Sequence, residues 1–224
     1  MVTLMSSINI FTARMDIDDL VSEIESISMD TSWTQEEQYS VFAQPDRDYY
    51  ESQRSRFEHK YRTFRAISMV LRPEVIVELG THAGSGADAY LSGVDYGAHY
   101  IGYDSFGVSE VDGFGVYDPH KRCRDMFRAK GYDDFNLITC DLRDMRSIPQ
   151  ADLFCVDAGH DYRNAYQDLL MALRSGSRWI HVDDYYGDDL RLAIRDITMN
   201  YADHFIGMAE INQWNGSLLL EVRQ

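Results

Sequence analysis

Apolar residues along this chain fall into two periods. Short apolar-rich runs at residues 74–79, 99–103, 135–139, 154–156 and 179–182 have the length and composition of strands, those at 154–156 and 179–182 of buried ones. Elsewhere apolar positions return every three or four residues. Ile17, Leu20, Val21, Ile24 and Ile27 form one helical stripe over 16–27, and Phe57, Tyr61, Phe64, Ile67 and Leu71 form another over 56–71, which Pro73 ends. Tyr166, Leu169, Leu170 and Leu173 mark a helix between the fourth and fifth runs, and Leu190, Ile194, Ile197 and Tyr201 mark one after them. Strand, helix, strand in alternation predicts parallel crossover units. The last two runs, 205–211 and 217–222, are joined through Asn215-Gly216, a strong hairpin signal that makes the final strand antiparallel.

Two stretches lack such a period. Residues 1–15 read as a mobile arm. Residues 31–55 mix Trp33, Tyr39, Phe42, Pro45, Tyr49 and Tyr50 with polar positions, which reads as a lid or substrate-facing wall, or else as an irregular cover packed on the core. The expected organisation is an N-terminal helical cover or lid over 1–70 and one compact α/β unit over 71–224.

Composition narrows the function. A chain of 224 residues, 45% hydrophobic, can bury one sizeable core. Its formal net charge of -16 argues against nucleic acid or an anionic membrane as partner, since either needs a basic footprint. The one basic run, 120–130, sets Lys121, Arg122, Arg124, Arg128 and Lys130 around Cys123, Met126 and Phe127, the pattern of a solvated helix with one buried side rather than of a phosphate grip. Three cysteines without a CxxC pair point to reduced core thiols. No leader-like or membrane-spanning run is evident, so a soluble cytoplasmic protein is expected, with homo-oligomerisation left open.

The chemistry concentrates at strand ends. The first strand runs into Gly80-Thr-His-Ala-Gly84-Ser-Gly86, a turn that lets backbone approach a ligand and aims free amides at it. The second strand ends at Asp104, 24 residues after Gly80, where an acid can accept both hydroxyls of a ribose. The third ends at Cys140-Asp141. Parallel strands bring their carboxyl ends to one edge, so Asp157 should meet Asp183 and Asp184 across 26 positions, and three carboxylates at one point suit a hard cation. His160 follows three residues after Asp157.

Glu78-x-Gly80-x-x-x-Gly84, Asp104, Asp141, Asp157 and Asp183 at successive strand ends, closed by a C-terminal hairpin, resemble the class I S-adenosylmethionine-dependent methyltransferases over residues 70–224. Asp157-Ala-Gly-His160-Asp-Tyr162 with His181-Val-Asp183-Asp184-Tyr185 is similar to the metal-dependent O-methyltransferases of the macrocin type, and the triad to that of catechol O-methyltransferase. The resemblance implies a Rossmann-like seven-stranded, mostly parallel sheet with an antiparallel last strand, helices on both faces and an N-terminal helical cover. It implies S-adenosylmethionine held around Glu78, Gly80, Thr81, Gly84, Ser85, Asp104, Ser105, Asp141, Leu142 and Asp157. It implies Mg²⁺ on Asp157, Asp183 and Asp184, His160 as general base, and a small-molecule acceptor whose hydroxyl is methylated, such as a natural-product sugar or vicinal diol. His82 and His181 are expected to pack against neighbours.

Two other readings stay open. Gly80-x-x-x-Gly84-x-Gly86 also fits the turn of an NAD(P)-dependent short-chain reductase, which pairs Tyr with Lys four positions later on a helix; the available pair, Tyr117 and Lys121, has Pro119 between them. A non-catalytic cofactor-fold binding protein is the other.

Overall fold

A computed structural model describes residues 16–35, 51–107, 109–111 and 115–224. The expected arm at 1–15, and Tyr39, Phe42, Pro45, Tyr49 and Tyr50 of the expected lid, lie outside the described residues. Two helices, α1 (Ile17–Ser28) and α2 (Arg54–Leu71), precede strand β1 (Val75–Leu79). Then come α3 (Ser85–Gly93), β2 (His99–Asp104), a small hairpin of β3 (Ser109–Val111) and β4 (Gly115–Tyr117), α4 (Pro119–Ala129) and β5 (Phe135–Thr139). A 3₁₀ turn at Leu142–Asp144 leads to β6 (Leu153–Val156), α5 (Tyr162–Arg174), β7 (Trp179–Asp183), α6 (Asp188–Asn200), β8 (Phe205–Ile211) and β9 (Ser217–Val222).

Short polar side chains start the helices by satisfying amides that have no partner within the first turn. Asp16 accepts from the Asp18 N–H, Asp118 from Lys121 and Asp161 from Asn164. Helix α2 stops at Leu71 because Arg72 turns left-handed, φ +49°, just before Pro73. Tyr117 ends β4 while Lys121 lies beyond the Asp118 cap in α4, so the pair that a short-chain reductase would place on one helix is divided between two elements.

The seven-stranded sheet has the order β5-β2-β1-β6-β7-β9-β8. Every pair from β5 to β7 is parallel, and β9 enters between β7 and β8 antiparallel to both. This is the expected mostly parallel sheet with an antiparallel last strand. Successive strand residues point to opposite faces. Ile76, Tyr100, Leu153 and Cys155 pack with α1, α2, α3 and α4 on one side, while Val77, Ile101, Phe154 and Val156 pack with α5 and α6 on the other. Helix α1 is part of the first core through Ile17, Leu20, Val21 and Ile24, so the described N-terminal helices share one apolar interior with the sheet.

Cys123 and Cys155 are buried free thiols, and Cys140 is half-buried. Among the described residues, no helix is long and apolar enough to cross a membrane.

Candidate active site

The tips of β1 and β6 approach so closely that only glycine fits at the first of them. Gly80 has φ +91°, and a Cβ there would lie 2.1 Å from the carbonyl oxygen of Asp157. The Gly80 N–H donates to the Tyr103 carbonyl at 2.8 Å and the Asp157 N–H to that of Leu79 at 2.9 Å, which locks three neighbouring strand tips together. Two cavities open from this junction and share Gly80, His82 and Asp157.

The first cavity, about 400 Å³, follows the tips of β2 and β5. Asp104 sits at the end of β2, where its Oδ2 accepts the His82 N–H at 2.9 Å and its Oδ1 accepts the Phe106 N–H at 2.7 Å. Oδ1 also receives the Ser105 hydroxyl at a long 3.4 Å, while Oδ2 retains a second acceptor position for a ligand hydroxyl. Ser105, Asp141 and Leu142 line the same cavity. Arg143 donates to Asp141 from its backbone N at 3.0 Å and from Nε at 2.8 Å, and this hydrogen bonding holds the carboxyl down to about 2. Asp168 of α5, which no sequence pattern singled out, forms part of the opposite wall. It accepts the Gly159 N–H at 3.2 Å, and burial pushes its carboxyl up to about 7.

The second cavity, about 380 Å³, lies between α2, the 80–86 turn and the β8–β9 hairpin. Its walls include Phe57 and Trp214, which meet edge to face with ring centroids 4.5 Å apart. Glu78 and Ser85 also line it. Glu78 is 1% exposed, and burial pushes its carboxyl up to about 8 although the Tyr100 hydroxyl donates to it. Thr81 joins this buried pair, its Oγ1 3.0 Å from the Tyr100 hydroxyl. Gly84 packs against Cys123, and a Cβ at Gly86 would meet Glu78 Oε1 at 2.6 Å, so the glycines of the turn also make room for their own supports.

The two acids that close β7 have different surroundings. Asp183 is 1% exposed; Lys60 of α2 forms an ion pair with it, and Gln213 Nε2 donates to its Oδ1 at 2.9 Å. Asp184 adopts φ +53°, a left-handed conformation that Asp tolerates better than most residues, and Asn215 Nδ2 donates to its Oδ1 at 3.1 Å. That turn sends Asp184 toward β6: His160 Nε2 lies 3.9 Å from its Oδ2, and ligand atoms of Asp157, His160 and Asp184 all fall within 4.8 Å of one another. Desolvation pushes Asp157 well above the usual carboxylate range, and Lys60 opposes that rise. Burial works against the charge of Lys60, yet Asp183 foremost and then Asp157 hold it above its ordinary value.

These residues fit a divalent cation. Asp157 and Asp184 supply two carboxylates, and Mg²⁺ is commonly bound by one or two carboxylates with water completing its shell. Three carboxylates less one ammonium leave two negative charges at the cluster, which one divalent ion balances, and such an ion would favour the ionised form of Asp157. Asp183 is engaged by Lys60 and Gln213, so it stands behind Asp184 in this arrangement.

His160 is exposed at the mouth of the cluster. His181 is wholly buried between Phe64 and Tyr90, with the Tyr90 hydroxyl 2.7 Å from its Nδ1, and burial holds it down to about 3. Lys60, Gln213, Trp214 and Asp168 were missed by the sequence reading. For Lys60 a signal existed: it stands on the buried stripe of α2 between Phe57 and Phe64, where a lysine needs an acid partner.

No protein-family model matches the chain, and no curated protein sequence matches it. Solved structures do. The SAH-bound methyltransferase PaMTH1 of Podospora anserina is 15% identical, with TM-score 0.57 and all of both chains covered. The O-methyltransferase TomG of Streptomyces achromogenes, solved with SAM, is 14% identical, with TM-score 0.59 over 91% of this chain and 96% of that one. The O-methyltransferase NovP is 16% identical, with TM-score 0.57 over 74% of this chain and 80% of that one. The chain has the fold of the class I S-adenosylmethionine-dependent methyltransferases.

Proposed function

We propose that the protein transfers a methyl group from S-adenosylmethionine to a hydroxyl of a small molecule, with Mg²⁺ at the cluster of Asp157 and Asp184. The observation that carries this reading is the junction at Asp157. A cavity with a diol-accepting acid at one end meets a cavity lined by acids and a histidine, and the two share this residue.

When bound, S-adenosylmethionine supplies an activated sulfonium methyl, and a divalent ion supplies the positive charge that eases loss of a proton from a nearby hydroxyl. The chain's residues do the rest. Asp104 anchors the ribose, and Asp141 and Leu142 bound the adenine side of the cavity. Asp157 and Asp184 hold the ion, while Lys60 and Gln213 keep Asp183 in place behind them. His160 collects the proton of the acceptor hydroxyl and, being exposed, passes it to solvent. Phe57 and Trp214 give the acceptor an apolar wall and exclude water from one side. Holding the reacting atoms near 3–3.5 Å is worth roughly 7–11 kcal/mol.

A cavity of about 380 Å³ suits a compact acceptor such as a sugar or vicinal diol, and the net charge of -16 favours a small molecule over nucleic acid. The test is incubation of the protein with methyl-labelled S-adenosylmethionine, Mg²⁺ and an extract of hydroxyl-bearing metabolites. Label is expected in a small product and should disappear with excess chelator while calorimetry still shows cofactor binding. Full turnover in chelator would remove the metal from the reading, and binding of NADPH in place of S-adenosylmethionine would remove methyl transfer itself.

A further inference from the structure

A third cavity, about 500 Å³, lies between α5 and the segment that follows β5, and it shares Arg143 and Gln167 with the first cavity. Four of its lining residues are arginines: Arg143, Arg146, Arg163 and Arg174. Arg163, Gln167, Leu170 and Arg174 recur at intervals of four, three and four, so they form one stripe along α5, and Arg143 and Arg146 face them from the 3₁₀ turn and the residues after it. Arg143 is paired with Asp141, and among the described residues Arg146 reaches the carbonyl oxygens of Arg143 and Met145, each at 3.4 Å. Among the described residues, the guanidinium groups of Arg163 and Arg174 have no ion-pair or hydrogen-bond partner.

This arrangement runs against the charge of the chain. With 37 acids against 21 lysines and arginines, carboxylates are plentiful, yet four arginines gather around one cavity and two of them pair with none among the described residues. Guanidinium forks match phosphate oxygens two at a time and keep their charge at any physiological pH. Ser147 adds a hydroxyl to the lining, and Ile148 and Leu170 add apolar surface for the body of an ester. The volume lies within the range of small-molecule sites, and the negative field of the whole chain opposes a long polyanion.

We propose that this cavity binds a phosphate-bearing small molecule, a phosphate or diphosphate ester, beside the cofactor cleft and independently of methyl transfer. The probe is inorganic pyrophosphate, titrated calorimetrically at fixed ionic strength into the wild-type protein, the double variant Arg163→Gln/Arg174→Gln, and Arg195→Gln as a control from exposed surface on α6. One-to-one binding is expected in the wild type, weakened roughly tenfold or more in the double variant and unchanged in the control. Both substituted arginines are exposed, so melting should be unaffected; should the double variant fail to fold, each single variant should show a partial loss. The proposal is overturned if the wild type takes up no pyrophosphate, if the arginine variants bind it as tightly, or if Arg195→Gln weakens it equally.

Discussion

Lys60 and Asp183 form an ion pair between the helix that precedes the sheet and the tip of its fifth strand in the chain, and both side chains are almost wholly withdrawn from solvent. Removing one member of such a pair leaves the other as an uncompensated buried charge. Lys60→Met should therefore destabilise the protein by about 3–5 kcal/mol. Adding Asp183→Asn to that variant should recover much of the loss, because the stranded charge is then gone. Urea unfolding of the two single variants and the double gives the coupling directly, and additive effects would show that the pair contributes nothing.

Asp104 is expected to carry the cofactor's ribose. Asp104→Ala should weaken S-adenosylmethionine binding on the order of 10- to 100-fold, the range for losing hydrogen bonds to a charged group. Calorimetry measures it, and unchanged affinity would move the ribose elsewhere. Because Asp104 also holds the His82 and Phe106 amides, Asp104→Asn is the companion variant that keeps one acceptor oxygen.

His160→Ala should lower kcat by roughly 10²–10⁴, as for a lost general base, with cofactor affinity unchanged. The side chain is 57% exposed, so the melting temperature should hold. A variant that keeps most of its kcat would leave solvent as the proton acceptor.

Glu78 makes a prediction about pH. Burial raises its carboxyl from 4.5 to about 8, so the folded protein binds a proton there that the unfolded chain has released. Stability from this group is fully present below about pH 4.5 and is lost as pH rises toward 8, by an amount on the order of 5 kcal/mol. Glu78→Gln, neutral at every pH, should flatten that part of the profile and be the more stable protein at pH 8. Identical slopes for the two proteins between pH 5 and 8, read from denaturant unfolding, would contradict the assignment.

The strands were legible because β1, β2, β6 and β7 are covered on both faces and strongly apolar, whereas β5 at the sheet's edge is half exposed, and topology then places Asp104, Asp141, Asp157 and Asp184 at one edge without further information. What sequence could not separate was Asp183 from Asp184. Neighbours on a strand point to opposite faces, and the left-handed turn at Asp184 decides that this acid reaches His160 and only the edge of Lys60's range, 3.9 Å away, while Asp183 takes the close ion pair. Lys60 escaped notice because a helical stripe is read from its apolar members. Asp168 escaped because its task, holding the Gly159 amide from beneath, depends on a backbone contact across nine residues that leaves no pattern in the chain.

The place of β9 has a consequence for the order of assembly. Among the described residues β8 pairs in the sheet with β9 alone, whereas β9 also pairs with β7, so β8 can join the sheet only once β9, the last strand of the chain, has docked. The turn between them carries Gln213 and Asn215, the residues that hold Asp183 and Asp184. During folding, the acid pair should therefore acquire these two partners in one of the last steps, and a chain arrested before that docking would hold a formed cofactor cleft beside an unfinished acceptor wall.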